Sequence, residues 1–365
     1  MTDLLRRSEL ALPASNDNMF DKAASCDADL VFLDLEDAVP PAFKVESRAK
    51  AISALNDLDW GRTARAIRIN GLDTPWCHDD LIDVVTQAGA NLDTVVIPKA
   101  RTAKDVWWVD VLLTQLEMKL GLLRRIRLEV LIEEVEGLAN AEAIAVASPR
   151  VDSLIFGVGD FSLSQGARVD TNFDPLGEYP GDFWVYARNK IMVAARIAGI
   201  DAIDSPYPDY KNLQGYEHDA RRSSLLGYTG KWAIHPDQVP IANEVYAPTA
   251  DEIARAERNV KAYREAEANG RGAVGVEGVL VDAAHVKMAE ETLARAALKS
   301  RLRRKISRTG RCQRMASSWM RAPVPLMTRA RPSPLIHRHP RETLLPSMPR
   351  ARPVRPRRPN RLTKG

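Results

Sequence analysis

The 365-residue sequence is poor in cysteine, aromatic residues and long apolar runs. Its three cysteines, Cys26, Cys77 and Cys312, stand far apart with no Cys-x-x-Cys pair. That spacing argues against a disulfide framework or a zinc site. No run of about 18 uncharged apolar residues is present, so no transmembrane helix is expected. Met1–Leu10 is polar and lacks the apolar core of a secretory signal, which points to a cytoplasmic protein. No glycine-rich turn follows the first strand-like segment, which counts against a doubly wound dinucleotide-binding sheet. Gly157-Val158-Gly159 lacks the rest of that fingerprint.

Charge is unevenly spread. The last 67 residues carry 20 Lys and Arg, 17 of them Arg, against the single acid Glu342. The first 298 residues hold 32 bases and 47 acids, so the formal net charge of +4 hides an acidic body and a basic tail. Ten of the 23 prolines also fall in 299–365. Such a segment cannot bury enough apolar surface to offset its chain entropy and is expected to be disordered. It reads as sequence appended to a complete body rather than as an arginine-rich arm for nucleic acid.

The body alternates short apolar runs with helical patterns, the signature of βαβ units. Strands are expected at Glu9–Pro13, Leu30–Leu35, Ala64–Asn70, Thr94–Pro98, Arg127–Ile132, Ser153–Gly157, Gly199–Ile203 and Lys231–His235. Helices are expected at Asn18–Ser25, Lys44–Leu55, Trp76–Ala88, Ala103–Gly121, Gly137–Ala147, Phe183–Ala198 and Tyr210–Leu226. Eight strands with seven intervening helices is the count of a (β/α)8 TIM barrel, over residues 1–247. Residues 248–298 read as a C-terminal helical extension. Its first helix starts at a capping box, Thr249 with Glu252, and stops near Gly270. A glycine-rich link, Arg271–Leu280, then joins a short amphipathic helix expected to act as a lid.

In a barrel the site lies at the C-terminal ends of the strands. The polar residues there are Glu36, Asp37, Arg68, Asn70, Lys99, Glu133, Glu134, Asp160, Asp204, His235 and Gln238. Several acids and an arginine at one mouth suit a hard divalent cation, with Glu133 and Asp160 as ligands from adjacent strands. They suit equally a set of acids paired with Arg68, Lys99 and helix N-termini. Glu36 and Asp37 read as groups that orient Arg68 or a metal's waters, or as caps of the next helix. Cys77-His78 is expected at the surface, and Trp107-Trp108 reads as packing.

Eight blocks in order resemble the citrate lyase β-subunit-like branch of the HpcH/HpaI aldolases, nearest to malyl-CoA/β-methylmalyl-CoA lyases. They are Arg7–Pro13, Phe32–Val39, Ile67–Thr74, Val95–Lys99, Glu129–Glu133, Phe156–Asp160, Gly230–Gln238 and Gly278–Asp282. The resemblance covers roughly Arg6 to Leu298. It implies a Mg2+-dependent enzyme, with Mn2+ as a substitute, that reversibly cleaves a 3-hydroxy-carboxyacyl-CoA to glyoxylate and acetyl- or propionyl-CoA. Thioester hydrolysis and citramalyl- or citryl-CoA cleavage on the same scaffold are the alternatives. The implied metal ligands are Glu133 and Asp160, and the implied substrate arginine is Arg68. The implied acid is Asp282, carried by the lid of a neighbouring subunit in a homotrimer or hexamer. Lys22, Gly159, Ile234 and His235 match acyl-CoA contacts. No membrane or nucleic-acid partner is implied. The chain departs from the family pattern at Glu134-Val135-Glu136-Gly137, at Ala14-Ser15 and in a short Gly166–Asp182 loop. Truncation after Leu298 is expected to leave the far-ultraviolet circular dichroism per residue of the body and its melting temperature unchanged. An unfolded truncated chain would contradict the reading of 299–365 as appended.

Overall fold

The computed structural model describes residues 4–298. The basic segment 299–365, with Cys312, lies outside the described residues. Among those described, eight parallel strands close into a barrel in sequence order, β1 to β8. They are β1 Ser8–Pro13, β2 Leu30–Asp34, β3 Ala64–Arg68, β4 Thr94–Ile97, β5 Arg127–Ile132, β6 Val151–Phe156, β7 Asp201–Asp204 and β8 Gly230–Ala233. β8 closes the ring on β1 with Ser8 opposite Lys231 and Leu10 opposite Ala233. The helices between them are α1 Phe20–Ala24, α2 Lys44–Asp57, α3 Cys77–Ala88, α4 Ala103–Leu120, α5 Val135–Ala139, α6 Ala141–Ala145, α7 Val158–Gln165, α8 Val185–Ala198 and α9 Leu213–Leu226. The expected (β/α)8 barrel is therefore the fold. No helix among the described residues is long and apolar enough to cross a membrane.

Alternation along each strand decides what faces inward. Leu30, Phe32, Ala64, Ala66, Val96, Leu131, Ile155, Ile203 and Trp232 fill the barrel. Val31, Leu33, Ile67, Val95, Val130 and Leu154 point outward into the layer beneath the helices. The inner floor is polar. Arg6 Nε donates to Glu129 Oε1 at 2.5 Å, and Trp232 Nε1 donates to Glu9 Oε2 at 3.0 Å. Burial, reinforced by their mutual repulsion, holds the Glu9 carboxyl well above its ordinary range.

Two helices were not foreseen, α7 and α10 Gln238–Val245. α7 begins directly after β6, and its glycine in the first turn masks a helical start. Cys77 is buried, against the surface expectation, because it lies on the inward face of α3 with Leu81, Val84 and Ala88. Trp107 and Trp108 are exposed rather than packed.

After the barrel, α11 Ala250–Ala268 opens with the expected capping box: Glu252 N donates to Thr249 Oγ1 and Thr249 N to Glu252 Oε2. Gly270 takes the left-handed conformation that stops it, at φ 72°. The glycine-rich segment is not a loose link. It is an antiparallel hairpin, β9 Ala273–Val276 with β10 Val279–Asp282. Glu277 and Gly278 both have positive φ, 51° and 84°, as a tight two-residue hairpin turn requires. Residues 283–298 are helical. Val281, Val286 and Ala289 pack on Ala256 and Val260 of α11. This extension is attached beneath the barrel: Glu291 pairs with Arg196 at the end of α8, at 2.6 Å. Arg295 and Leu298 line a cleft with Arg6, Asp201 and Thr229 at the strand N-termini.

A buried network ties β7 and β8 to α8 and α9. Lys231 Nζ donates to Asp219 at 2.6 Å and Asp204 at 2.9 Å, and Arg188 Nη2 donates to Asp219 at 2.8 Å. Burial alone would raise the Asp219 carboxyl, but Lys231 and Arg188 outweigh it and hold it well below its usual 3.8. A lowered native value means that the stability it confers is complete above the unfolded Asp range and is lost as pH falls. Unfolding free energy is expected to fall in urea titrations from about pH 5 towards pH 2, with a shallower fall in Asp219→Asn. Equal slopes for the two proteins would contradict this role.

Candidate active site

The mouth of the barrel is built from the last inward residue of several strands and the first residues after them. On β2 the inward series Leu30, Phe32 ends in Asp34, and on β3 Ala64, Ala66 ends in Arg68. The two residues pair across the parallel register. Arg68 Nε and Nη2 donate to Asp34 Oδ1 and Oδ2 at 2.7 and 2.6 Å, a two-pronged ion pair that fixes the guanidinium plane. Its Nη1 lies 3.1 Å from Glu36 Oε2, and its face stacks over the Trp232 ring at 5.5 Å. Arg68 is buried, and Asp34 with Glu36 more than offset the desolvation, so it stays charged.

Glu133 follows β5, two residues beyond Leu131 on the inward face. Its side chain is only 2% exposed. Oε1 accepts the backbone N–H of Lys99 at 2.8 Å. That amide is aimed by a left-handed Lys99 at φ 50°, a conformation costly for a residue with a Cβ. Gly157, the inward residue after β6, makes room for the carboxylate. A Cβ there would sit 2.6 Å from Glu133 Cβ and 2.7 Å from Oε2. Burial first, then the charges of Glu36 and Asp160, push the Glu133 carboxyl well above its ordinary range, against the pull of Arg68.

Asp160 lies in the first turn of α7. Burial first, then the charge of Asp37, raises the proton affinity of its carboxyl, while Lys99 opposes. Lys99 Nζ holds the acids together: it donates to Glu36 Oε1 at 2.6 Å and to Asp37 at 3.1 Å, and lies 3.7 Å from Asp160. Arg68, Glu36, Asp37, Lys99, Glu133 and Asp160 thus form one cluster in which four carboxylates meet two cations. Glu133 and Asp160 offer hard oxygen donors at adjacent strand ends. No group of three or more His, Cys, Asp or Glu among the described residues is arranged to hold a metal alone. A divalent cation on this pair would therefore complete its shell with water or substrate oxygens, as Mg2+ ordinarily does.

The other expected residues sit around this cluster. Gly159 lies in α7 beneath the Phe173 ring, which a Cβ would approach to 3.3 Å. Ile234 N donates to Gln238 Oε1 at 2.8 Å. His235 is half-buried, and Tyr210 stacks on it at 5.3 Å with 21° between planes. Lys22 is exposed on α1, and no hydrogen bond among the described residues joins its ammonium to the cluster. Glu134 turns aside, accepting Ser164 Oγ at 2.9 Å and lying 3.3 Å from Arg101. Asp282 is not at this mouth. It caps the helix of the extension, accepting the N–H groups of Ala284 and His285 at 3.0 and 3.2 Å. Sequence reasoning missed Asp34 and Tyr210. The period-2 run Leu30, Phe32, Asp34 would have exposed the former.

A family model for HpcH/HpaI aldolase/citrate lyase matches residues 7–236. The chain belongs to this family. A Cereibacter sphaeroides protein named L-malyl-CoA/β-methylmalyl-CoA lyase is 42% identical over 293 residues, 78% of this chain and 92% of its own. A (3S)-malyl-CoA thioesterase of the same species is 34% identical over 290 residues, 80% of this chain and 94% of its own. Among solved structures, the protein CitE of Mycobacterium tuberculosis in complex with magnesium, acetoacetate and coenzyme A superposes with TM-score 0.64. It is 28% identical, covering 81% of this chain and 100% of that one. The chain is a carbon–carbon lyase, and the acidic cluster lies where a barrel enzyme keeps its active site.

Gly157→Ala is expected to cost about 1–3 kcal/mol of stability. It is also expected to cost on the order of 100-fold in lyase rate, because the Glu133 carboxylate must move. Thermal melting and a rate assay separate the two effects; an unchanged rate would show that the carboxylate's position is not used.

Proposed function

We propose that the protein is a Mg2+-dependent lyase that reversibly cleaves malyl-CoA or β-methylmalyl-CoA to glyoxylate and acetyl- or propionyl-CoA. The observation that carries this reading is the buried Glu133 carboxylate, raised by the neighbouring charge of Asp160 and set beside the fixed Arg68 guanidinium. Glu133 and Asp160 would hold the Mg2+, with Mn2+ as a substitute. Two adjacent carboxylates whose proton affinity is raised by burial and by neighbouring carboxylates suit a divalent cation in chemical type. When bound, the cation supplies Lewis acidity at the hydroxyl and carboxylate oxygens of a 2-hydroxy acid.

The chain's own groups do the rest. Cleavage of the bond between the hydroxyl-bearing carbon and the thioester α-carbon leaves negative charge on the thioester oxygen as an enolate. Arg68, locked by Asp34 and backed by Trp232, meets that charge without reorganising. Lys99 and Glu36 hold Arg68 and Asp160 in register, with Asp37 at the outer edge. Lys22, Gly159, Ile234 and His235 would line the acyl-CoA path.

Asp282 would protonate the enolate carbon, or remove that proton in the condensing direction. The extension that carries Asp282 is attached at the strand N-termini, away from the mouth, so the aspartate is suited to the site of a neighbouring copy. A homotrimer, or a hexamer of two trimers, with 248–298 as the exchanged lid follows from this reading. Closure would also exclude water from the enolate.

Hydrolysis is the second reading, favoured by the 34% identity to the thioesterase. Keto acid and free thiol, measured together, separate the two. Malyl-CoA with Mg2+ is expected to release glyoxylate without free CoA. Glu133→Ala is expected to abolish release, and Arg68→Lys to lower the rate by about 2–4 kcal/mol of barrier. Free CoA without glyoxylate would favour hydrolysis. No keto acid from malyl-, β-methylmalyl-, citramalyl- or citryl-CoA under Mg2+ or Mn2+ would overturn the proposal.

A further inference from the structure

The helix at 283–298 starts on Asp282, and its first turn brings His285 back over the same carboxylate. His285 Nδ1 lies 2.6 Å from Asp282 Oδ1. The cap itself needs only the amides of Ala284 and His285, which Oδ1 already accepts. The imidazole also serves the cap, its Nδ1 lying 3.4 Å from the Asp282 backbone N–H as acceptor, but its contact with the carboxylate is much the shorter. Both side chains are about half exposed, 48% for His285 and 47% for Asp282, so the ring's far nitrogen has a route to solvent.

The other acids near the ring are already committed. α11 brings Glu252 and Arg255, and the hairpin turn brings Glu277, to the groove His285 lines. Glu252 is held by Thr249 and Glu277 pairs with Arg258 at 3.2 Å, which leaves Asp282 as the acid bonded to the imidazole.

We propose that His285 is the proton-exchange partner of Asp282, its Nδ1–H replacing on Oδ1 the proton that the carboxyl gives up. The inference rests on the reading of Asp282 as the group that protonates the enolate. After Asp282 delivers its proton and a new C–H bond forms, Nδ1–H gives a proton to Oδ1. Nε2 takes one from water, and exchange with solvent at the two ring nitrogens returns the imidazole to its Nδ1–H form before the next turnover. The hydroxyl proton of the substrate leaves to solvent, and the sum is balanced without any redox partner. In the condensing direction the same path runs backwards and drains the proton taken from the acyl carbon. His285 acts through Asp282 and is a positioning residue rather than a catalytic one.

Hydrogen bonds from His285 and the amides hold the Asp282 carboxyl low, so it needs a neighbour that resupplies its proton. The test uses the full chain with malyl-CoA and Mg2+, comparing wild type, His285→Asn, His285→Ala and Asp282→Asn over about pH 5.5–9. His285→Asn keeps a polar group beside Asp282 but cannot titrate. Its KM is expected to stay within about twofold, while kcat falls about 10–100-fold. Added imidazole is expected to restore rate to His285→Ala saturably. A wild-type profile in His285→Asn, or a lowered rate in His285→Ala that imidazole does not restore, with Asp282→Asn inactive, would overturn the exchange role. Full activity in Asp282→Asn would instead overturn the underlying reading of Asp282.

Discussion

A carboxylate that must stay buried and electrically uncompensated is the constraint around which this barrel's mouth is organised. Glu133 is shut away from water at the end of β5, with one backbone amide and no side-chain cation bonded to it directly. Such a group costs several kcal/mol unless something offsets its charge. The surroundings crowd it with neither a side chain nor a base. Gly157 leaves no Cβ to crowd the carboxylate, Lys99 accepts a strained backbone to aim its amide, and Asp160 is set beside it rather than a base. The nearest cations are spent elsewhere, Arg68 on Asp34 and Glu36, and Lys99 on Glu36 and Asp37.

That division of labour explains why five acids, Asp34, Glu36, Asp37, Glu133 and Asp160, gather around Arg68 and Lys99. Arg68 and Lys99 hold each other's partners in register through Glu36, so the guanidinium is presented in one orientation. Beneath them, Trp232 reaches from Glu9 on the polar floor to the underside of Arg68, which couples the packing of the barrel interior to the site. The proposed chemistry needs this stiffness, since charge that develops during bond cleavage is best met by groups that need not move.

Much of the architecture was legible in the sequence. The eight apolar runs lie at the eight strands because a strand buried on both faces reads as an unbroken apolar stretch. The polar residues at the ends of those runs include Glu36, Arg68, Lys99, Glu133 and Asp160, which the fold brings into one cluster. Asp34 was hidden because it sits inside a strand whose neighbours Leu33 and Leu35 are apolar, and only its parity marks it as inward. Tyr210 sits in the loop after β7, where no period operates. The β9–β10 hairpin was read as a flexible link because Gly272, Gly275 and Gly278 suggest looseness, whereas Gly278 with Glu277 makes a specific turn. The Asp282–His285 contact follows from helix geometry, three residues apart on one face, once the helix start is known.

Crystals soaked in Mn2+ and measured for anomalous scattering would test the central claim most directly. A cation shared by the two carboxylates gives one strong peak about 2.1–2.2 Å from an oxygen of Glu133 and from an oxygen of Asp160, lost in Glu133→Gln. A metal-dependent enzyme whose peak lies elsewhere, or touches neither carboxylate, would contradict it.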